Sequence, residues 1–175
     1  MKNDRPSEIV AAVLARLQLG PQDRRRIESD FEFQMFLARF VAALGNDPDA
    51  YLDGKFGFHE GGPECLLVGI TNSWIVVAEV STHREANATD RRTSTVFMYR
   101  TSALGQIEVL AAPAVEDETS GDWPRRLRLR LHLPDRAIEI PSRSEPGDTE
   151  TAALLERLRV TCSGCESRTV EPAQD

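Results

Sequence analysis

Between Glu64 and Val160 the chain reads as a succession of short strands, each ended by a turn, followed by one amphipathic helix. The run begins CLLVGITNSWIVVAEV, continues through TSTVFMYRTSALGQIEVL and RRLRLRLHLPDRAIEIP, and closes with DTETAALLERLRV. A meander with a single terminal helix has few ways to bury its apolar faces. The strands must curl into a bent antiparallel sheet or a barrel, with the helix plugging one end. The fold class is therefore α+β, mainly β. Scaffolds of this kind bind things more often than they carry chemistry.

The strands can be placed from their periods. Cys65 to Thr71 and Trp74 to Val80 flank Asn72-Ser73, which suits a tight hairpin. The polar stretch from Ser81 to Arg92 reads as a mobile loop. Ser94 to Arg100 and Gln106 to Ala112 read as a further pair, interrupted at Leu104-Gly105. The clearest strand follows, because Leu127, Leu129, Leu131 and Leu133 alternate with Arg126, Arg128, Arg130 and His132. Pro134-Asp135 turns the chain, and Ala137 to Ile140 pairs back. In the final helix Asp148 is available as N-cap, Glu150 suits the positive end of the helix dipole, and Leu154, Leu155 and Leu158 face the sheet.

The first 45 residues read as a helical hairpin. Ile9, Val10, Val13, Leu14 and Leu17 fall on one helix face, and Gly20 can supply the left-handed residue that ends the helix. Pro21 opens a second helix with Ile27, Phe33, Phe36, Leu37, Phe40, Val41 and Leu44 on one broad face, ending at Gly45-Asn46. Residues 46–63 are rich in turn formers and hold one short strand near Lys55 to His59. The chain thus divides into a hairpin over 1–45, a strand-rich domain over 54–161, and a tail over 166–175 with little to bury.

The strand order resembles the pleckstrin-homology-like superfold, particularly its bacterial and GRAM-type versions, over residues 54–160. VGITNSWIVV is similar to the second-to-third strand hairpin of those families, and LRLHLPDRAIEIP to their sixth-to-seventh. The resemblance implies seven strands and a C-terminal capping helix, with the helical hairpin as an addition. Phosphoinositide-binding members place basic residues around their first hairpin. Here that segment offers only Lys55 and His59 among acidic neighbours.

Two surfaces stand out as candidate sites. Arg126, Arg128, Arg130 and His132, joined by Arg91, Arg92 and Arg143, form a basic ribbon that could hold an anionic lipid headgroup, a phosphate or an acidic peptide, since a guanidinium fork bonds two oxygens at once. The plainer reading is that an exposed strand face must be polar. Phe33, Phe36, Leu37 and Phe40 form an apolar face that needs a partner, either the strand domain's own flank or another chain.

Catalytic and metal signatures are weak. Cys162-Ser163-Gly164-Cys165 has the spacing of half a zinc knuckle but lacks a second half, and no zinc is expected. No nucleophile elbow is present, and Gly61-Gly62 is not followed by the Lys-Ser/Thr of a phosphate loop. Trp74 and Trp123 read as packing or rim residues. The net charge of −7 opposes nucleic-acid binding, and no apolar stretch approaches the roughly 20 residues of a membrane span. Three cysteines cannot close a disulfide framework, and no secretory leader is recognisable, so a cytoplasmic protein is expected. The expectation is a non-enzymatic module without a cofactor, acting by protein–protein contact or self-association. The rival is a small-molecule-binding or enzymatic α+β domain with its pocket between sheet and helices.

Overall fold

We describe the chain from a computed structural model, which places residues 5–17, 19–45, 47, 49–59, 62–84, 90–111, 127–141 and 149–161. Three helices come first: α1 (Arg5–Arg16), α2 (Pro21–Ser29) and α3 (Phe31–Leu44). Seven strands follow: β1 (Tyr51–His59), β2 (Gly62–Ile70), β3 (Trp74–Arg84), β4 (Asp90–Arg100), β5 (Gln106–Ala111), β6 (Arg128–His132) and β7 (Ala137–Ile140). Helix α4 (Thr149–Thr161) is the last element. All pairing is antiparallel, in one sheet of order β1-β2-β3-β4 and a second of order β5-β6-β7.

The α+β architecture with its C-terminal helix is as expected, but the strands do not close a barrel. The expected pairing of Ser94–Arg100 with Gln106–Ala112 does not occur. Strand β4 is instead matched to β3 along its whole length, from Trp74 opposite Arg100 to Arg84 opposite Asp90. That continuous register also turns most of the expected Ser81–Arg92 loop into strand. After Arg100 the chain is pinned to the β2–β3 turn, because the Thr101 amide donates to the Ser73 carbonyl at 3.0 Å and the Thr101 hydroxyl to the Asn72 carbonyl at 2.9 Å. A 3₁₀ turn over Thr101–Ala103 then buries Leu104 and delivers β5 to the other sheet. The Asn72-Ser73 turn is closed as expected, with the Thr71 hydroxyl oxygen accepting from the amides of Ser73 and Trp74.

Two apolar cores result, one on each face of the four-stranded sheet. The first lies between the sheets and joins Val68, Ile70, Ile75 and Val77 to Leu129, Leu131, Ile138 and Ile140, with Leu154, Leu155 and Leu158 of α4 packed into it. The second joins Leu67, Val76, Ala78 and Val80 to Val13, Leu17, Ile27 and the apolar face of α3. A strand buried on both faces has no reason to alternate with polar residues, which explains the unbroken runs CLLVGI and WIVVA. Strand β6, with one face in water, keeps a strict alternation.

The helical layer is three helices rather than a hairpin. The expected second helix breaks at Asp30, whose extended backbone ends α2 and whose carboxylate accepts from the Phe33 amide at 3.0 Å to start α3. Gly20 is not the left-handed terminator expected of it; its backbone is extended and it stands at the N-cap of α2. Gly45 does take the positive φ, 75°, at the end of α3. Phe33, Phe36, Leu37 and Phe40 are buried against the sheet. Their approach needs Gly69, since a Cβ there would collide with Leu44 and come within 3.1 Å of the Phe40 ring.

Candidate functional site

The basic ribbon is one row of a charge ladder. The β5–β6–β7 register sets Glu108, Arg130 and Glu139 side by side on the outer face of the three-stranded sheet. The Arg130 guanidinium donates to Glu139 Oε1 at 2.6 Å and to Glu108 Oε2 at 3.1 Å. Arg128 donates to Glu139 Oε2 at 2.9 Å, and His132 Nε2 lies 3.3 Å from Glu108 Oε2. The hydrogen bond from Arg130 holds the Glu139 carboxyl below the usual carboxylate range, and the same bond raises Arg130. Two guanidiniums thus face two carboxylates, and an incoming anion would meet Glu108 and Glu139 at the forks it needs. The acidic partners were legible in QIEVL and AIEI, where each Glu sits at an outward position. Only the cross-strand register brings them beside Arg130.

Arg92, expected with this ribbon, belongs elsewhere. It lies in β4 and reaches Asp30 Oδ2 at 2.7 Å and Glu32 Oε2 at 3.3 Å, fastening the start of α3 to the first sheet. Burial alone would raise the Asp30 carboxyl, but the Phe33 amide and Arg92 outweigh it and hold it below its ordinary value. Arg91 is placed only as a backbone position of β4; Arg126, Arg143, Trp123, Asp148, Cys162, Cys165 and the tail lie outside the described residues. Phe33, Phe36, Leu37 and Phe40, expected to meet a partner, are at most 1% exposed within this chain, so their face is already covered by its own sheet.

Two further constellations escaped the sequence. At one rim, Arg136 of the β6–β7 turn donates to Glu79 of β3 at 2.8 Å and lies 3.9 Å over the Phe97 ring, while Tyr99 donates to Asp135 at 2.8 Å. Burial and that bond to Asp135 raise the Tyr99 phenol. This rim ties the two sheets together. Beside α4, an open groove of about 460 Å³ lies against α1 and the start of β1, between Ala12 and Ala153. At its inner side Tyr51 Oη and Thr151 Oγ1 are 3.4 Å apart. Arg157 closes its end by donating to the carbonyls of Asp49 at 2.7 Å and Ile70 at 3.1 Å.

Cys65 is a free thiol buried under the helices, and burial pushes its pKa up to about 12, the opposite of what a nucleophile needs. Among the described residues no three His, Cys, Asp or Glu side chains are grouped to hold a metal ion. No helix among them is long and apolar enough to cross a membrane. Comparison with family models finds no match, and neither characterised proteins nor solved structures yield one.

Proposed function

We propose that this chain is a non-enzymatic binding module on a pleckstrin-homology-like scaffold and that it works by associating with protein. The observation that carries the reading is the filling of the space between the sheets. Val68, Ile70, Ile75, Leu129, Leu131 and Ile140 are all fully buried there, and α4 adds Leu154 and Leu158. Aliphatic side chains occupy the space between the sheets, where an enclosed pocket would otherwise lie, so this reading puts binding at an outer surface. The likeness to the superfold is supported by element order: a meander divided four and three, followed by a helix packed into the core between the sheets.

A second reading rests on the groove beside α4, whose volume lies within the range of small-molecule sites. The two readings separate on one substitution. Ala153 is exposed at the groove wall, so Ala153→Trp fills the groove without disturbing the core. Cross-linking of the full-length chain in extracts of its own cell should recover links to protein, whether to itself or to another chain, and Ala153→Trp should leave them unchanged. A small molecule that raises Tm in the wild type but not in Ala153→Trp, with no protein links recovered, overturns the association reading.

A further inference from the structure

A β-sheet edge carries unpaired backbone donors and acceptors, and proteins guard such edges with charges, proline, bulges or shortness. Three of the four edges here are guarded. Strand β1 carries Asp53 and Lys55, β5 is broken by a register shift between Val109 and Ala111, and β7 is only four residues long. Strand β4 keeps its charges at its ends, in Asp90, Arg91, Arg92 and Arg100, and its middle has none of these devices. It runs for 11 residues without a register shift, pairs on one side with β3, and has no strand on its other side among the described residues. From Thr93 to Tyr99 it reads TSTVFMY, with neither a charge nor a proline.

Large apolar side chains stand exposed beside this same edge. Phe31 is 76% and Met35 43% exposed, on the half of α3 that the Arg92–Asp30 bridge ties to the start of β4. Met98, 46% exposed, lies near the other end of β4 and on the same sheet face, since it is opposite Val76 of the helix-side core.

We propose that β4 is a docking edge for a second copy of this chain, joined antiparallel about a two-fold axis at Thr95. The inference rests on the association reading above and names its partner. Thr95 is the middle residue of Asp90–Arg100, so this register pairs the whole strand with itself. It sets Thr93 opposite Phe97 and Ser94 opposite Val96 of the second copy, and it keeps Arg92 and Arg100 from facing one another. It also sets Met98 of each copy opposite Arg92 of the other, beside Phe31 and Met35. Three exposed apolar side chains per chain are covered by a single contact, and the patch is self-complementary, as a two-fold interface requires. In a chain of net charge −7 the Thr93–Tyr99 segment carries no charge, and this register sets Asp90 of each copy opposite Arg100 of the other, so two copies can approach along β4 with least repulsion.

The test is the mass of the full-length chain in solution by light scattering. The wild type is expected as a dimer. Thr95 is exposed, and at the axis it faces its own copy, so Thr95→Lys and Thr95→Glu should each give monomers with unchanged circular dichroism. An equimolar mixture of the two variants should return to dimer mass, because unlike charges then meet. Phe31→Glu with Met35→Glu, at positions that bury little in the monomer, should also give monomers. A wild type that stays monomeric, a dimer indifferent to both Thr95 variants, or no recovery in the mixture overturns the proposal. If protein cross-links persist in extracts while the purified chain is monomeric, this inference falls and the association reading stands. If both are absent, both fall.

Discussion

At the scale of single residues, Asp30 does the most for its size. Its backbone ends one helix, its carboxylate caps the next, and its charge holds Arg92 of β4. Asp30→Ala should cost about 1 to 2 kcal/mol in urea unfolding, the usual range for a lost N-cap. Asp30→Asn keeps a capping oxygen and loses only the ion pair, so it should cost less. The pH dependence has a definite sign. The folded-state pKa lies below the ordinary value, so the stabilisation is complete above about pH 4. It is lost as pH falls through the folded pKa, and the gap between wild type and Asp30→Asn should close on acidification. A gap that stays constant down to acid unfolding would mean that the charge contributes nothing. Cys65 gives a second residue-scale expectation. Buried and with its thiol at about 12, it should resist alkylation in the native chain and react on unfolding, read by mass at that peptide.

Single elements owe their position to how closely they can approach their neighbours. Helix α3 lies on β2 because Gly69 has no side chain where Leu44 and Phe40 descend. Gly69→Ala should destabilise by about 1 to 3 kcal/mol through overpacking, a cost measurable by denaturant titration. Helix α4 is held by apolar burial and by Arg157, which ties it to Asp49 ahead of β1 and to Ile70 at the end of β2. Leu158→Ala should cost roughly 2 to 5 kcal/mol, and a cost near zero would show that α4 is dispensable to the core. The charge ladder on β6 behaves differently. Its pairs are half exposed, so breaking them should have a small, salt-sensitive effect on stability. Replacing both Glu108 and Glu139 with Gln should free Arg128 and Arg130. The variant should then be retained on a sulfated polysaccharide column at low salt, where the wild type passes through.

For the whole molecule, the decisive arrangement is a four-stranded sheet covered on both faces. Removing residues 1–45 would expose Leu67, Val76, Ala78 and Val80 together, and a patch of that kind drives aggregation. The truncated chain should therefore be insoluble or lose its cooperative melt. A truncated chain that stays folded and monodisperse would mean that the three helices contribute little to the sheet.

Local chemistry determined much of this from the sequence alone. The leucine–arginine alternation places β6, Asn72-Ser73 places the β2–β3 turn, Pro134-Asp135 places the next hairpin, and the leucines of α4 mark its buried face. Each of these signals is carried within a few residues of the feature it specifies. What the sequence alone left open depends on partners distant along the chain. Phe33 and Phe40 look the same whether another chain or this chain's own sheet covers them, and only Gly69 and the strand register decide it. Arg130 looks like an anion site until β5 and β7 bring Glu108 and Glu139 to its two sides. The break at Asp30 was hidden because helix periodicity continues through it, and only the bridge to Arg92, 62 residues away, shows why the chain bends there. Tertiary structure settled these points because burial and ion pairing are relations between distant residues, whereas hydrophobic period and turn chemistry are properties of neighbours.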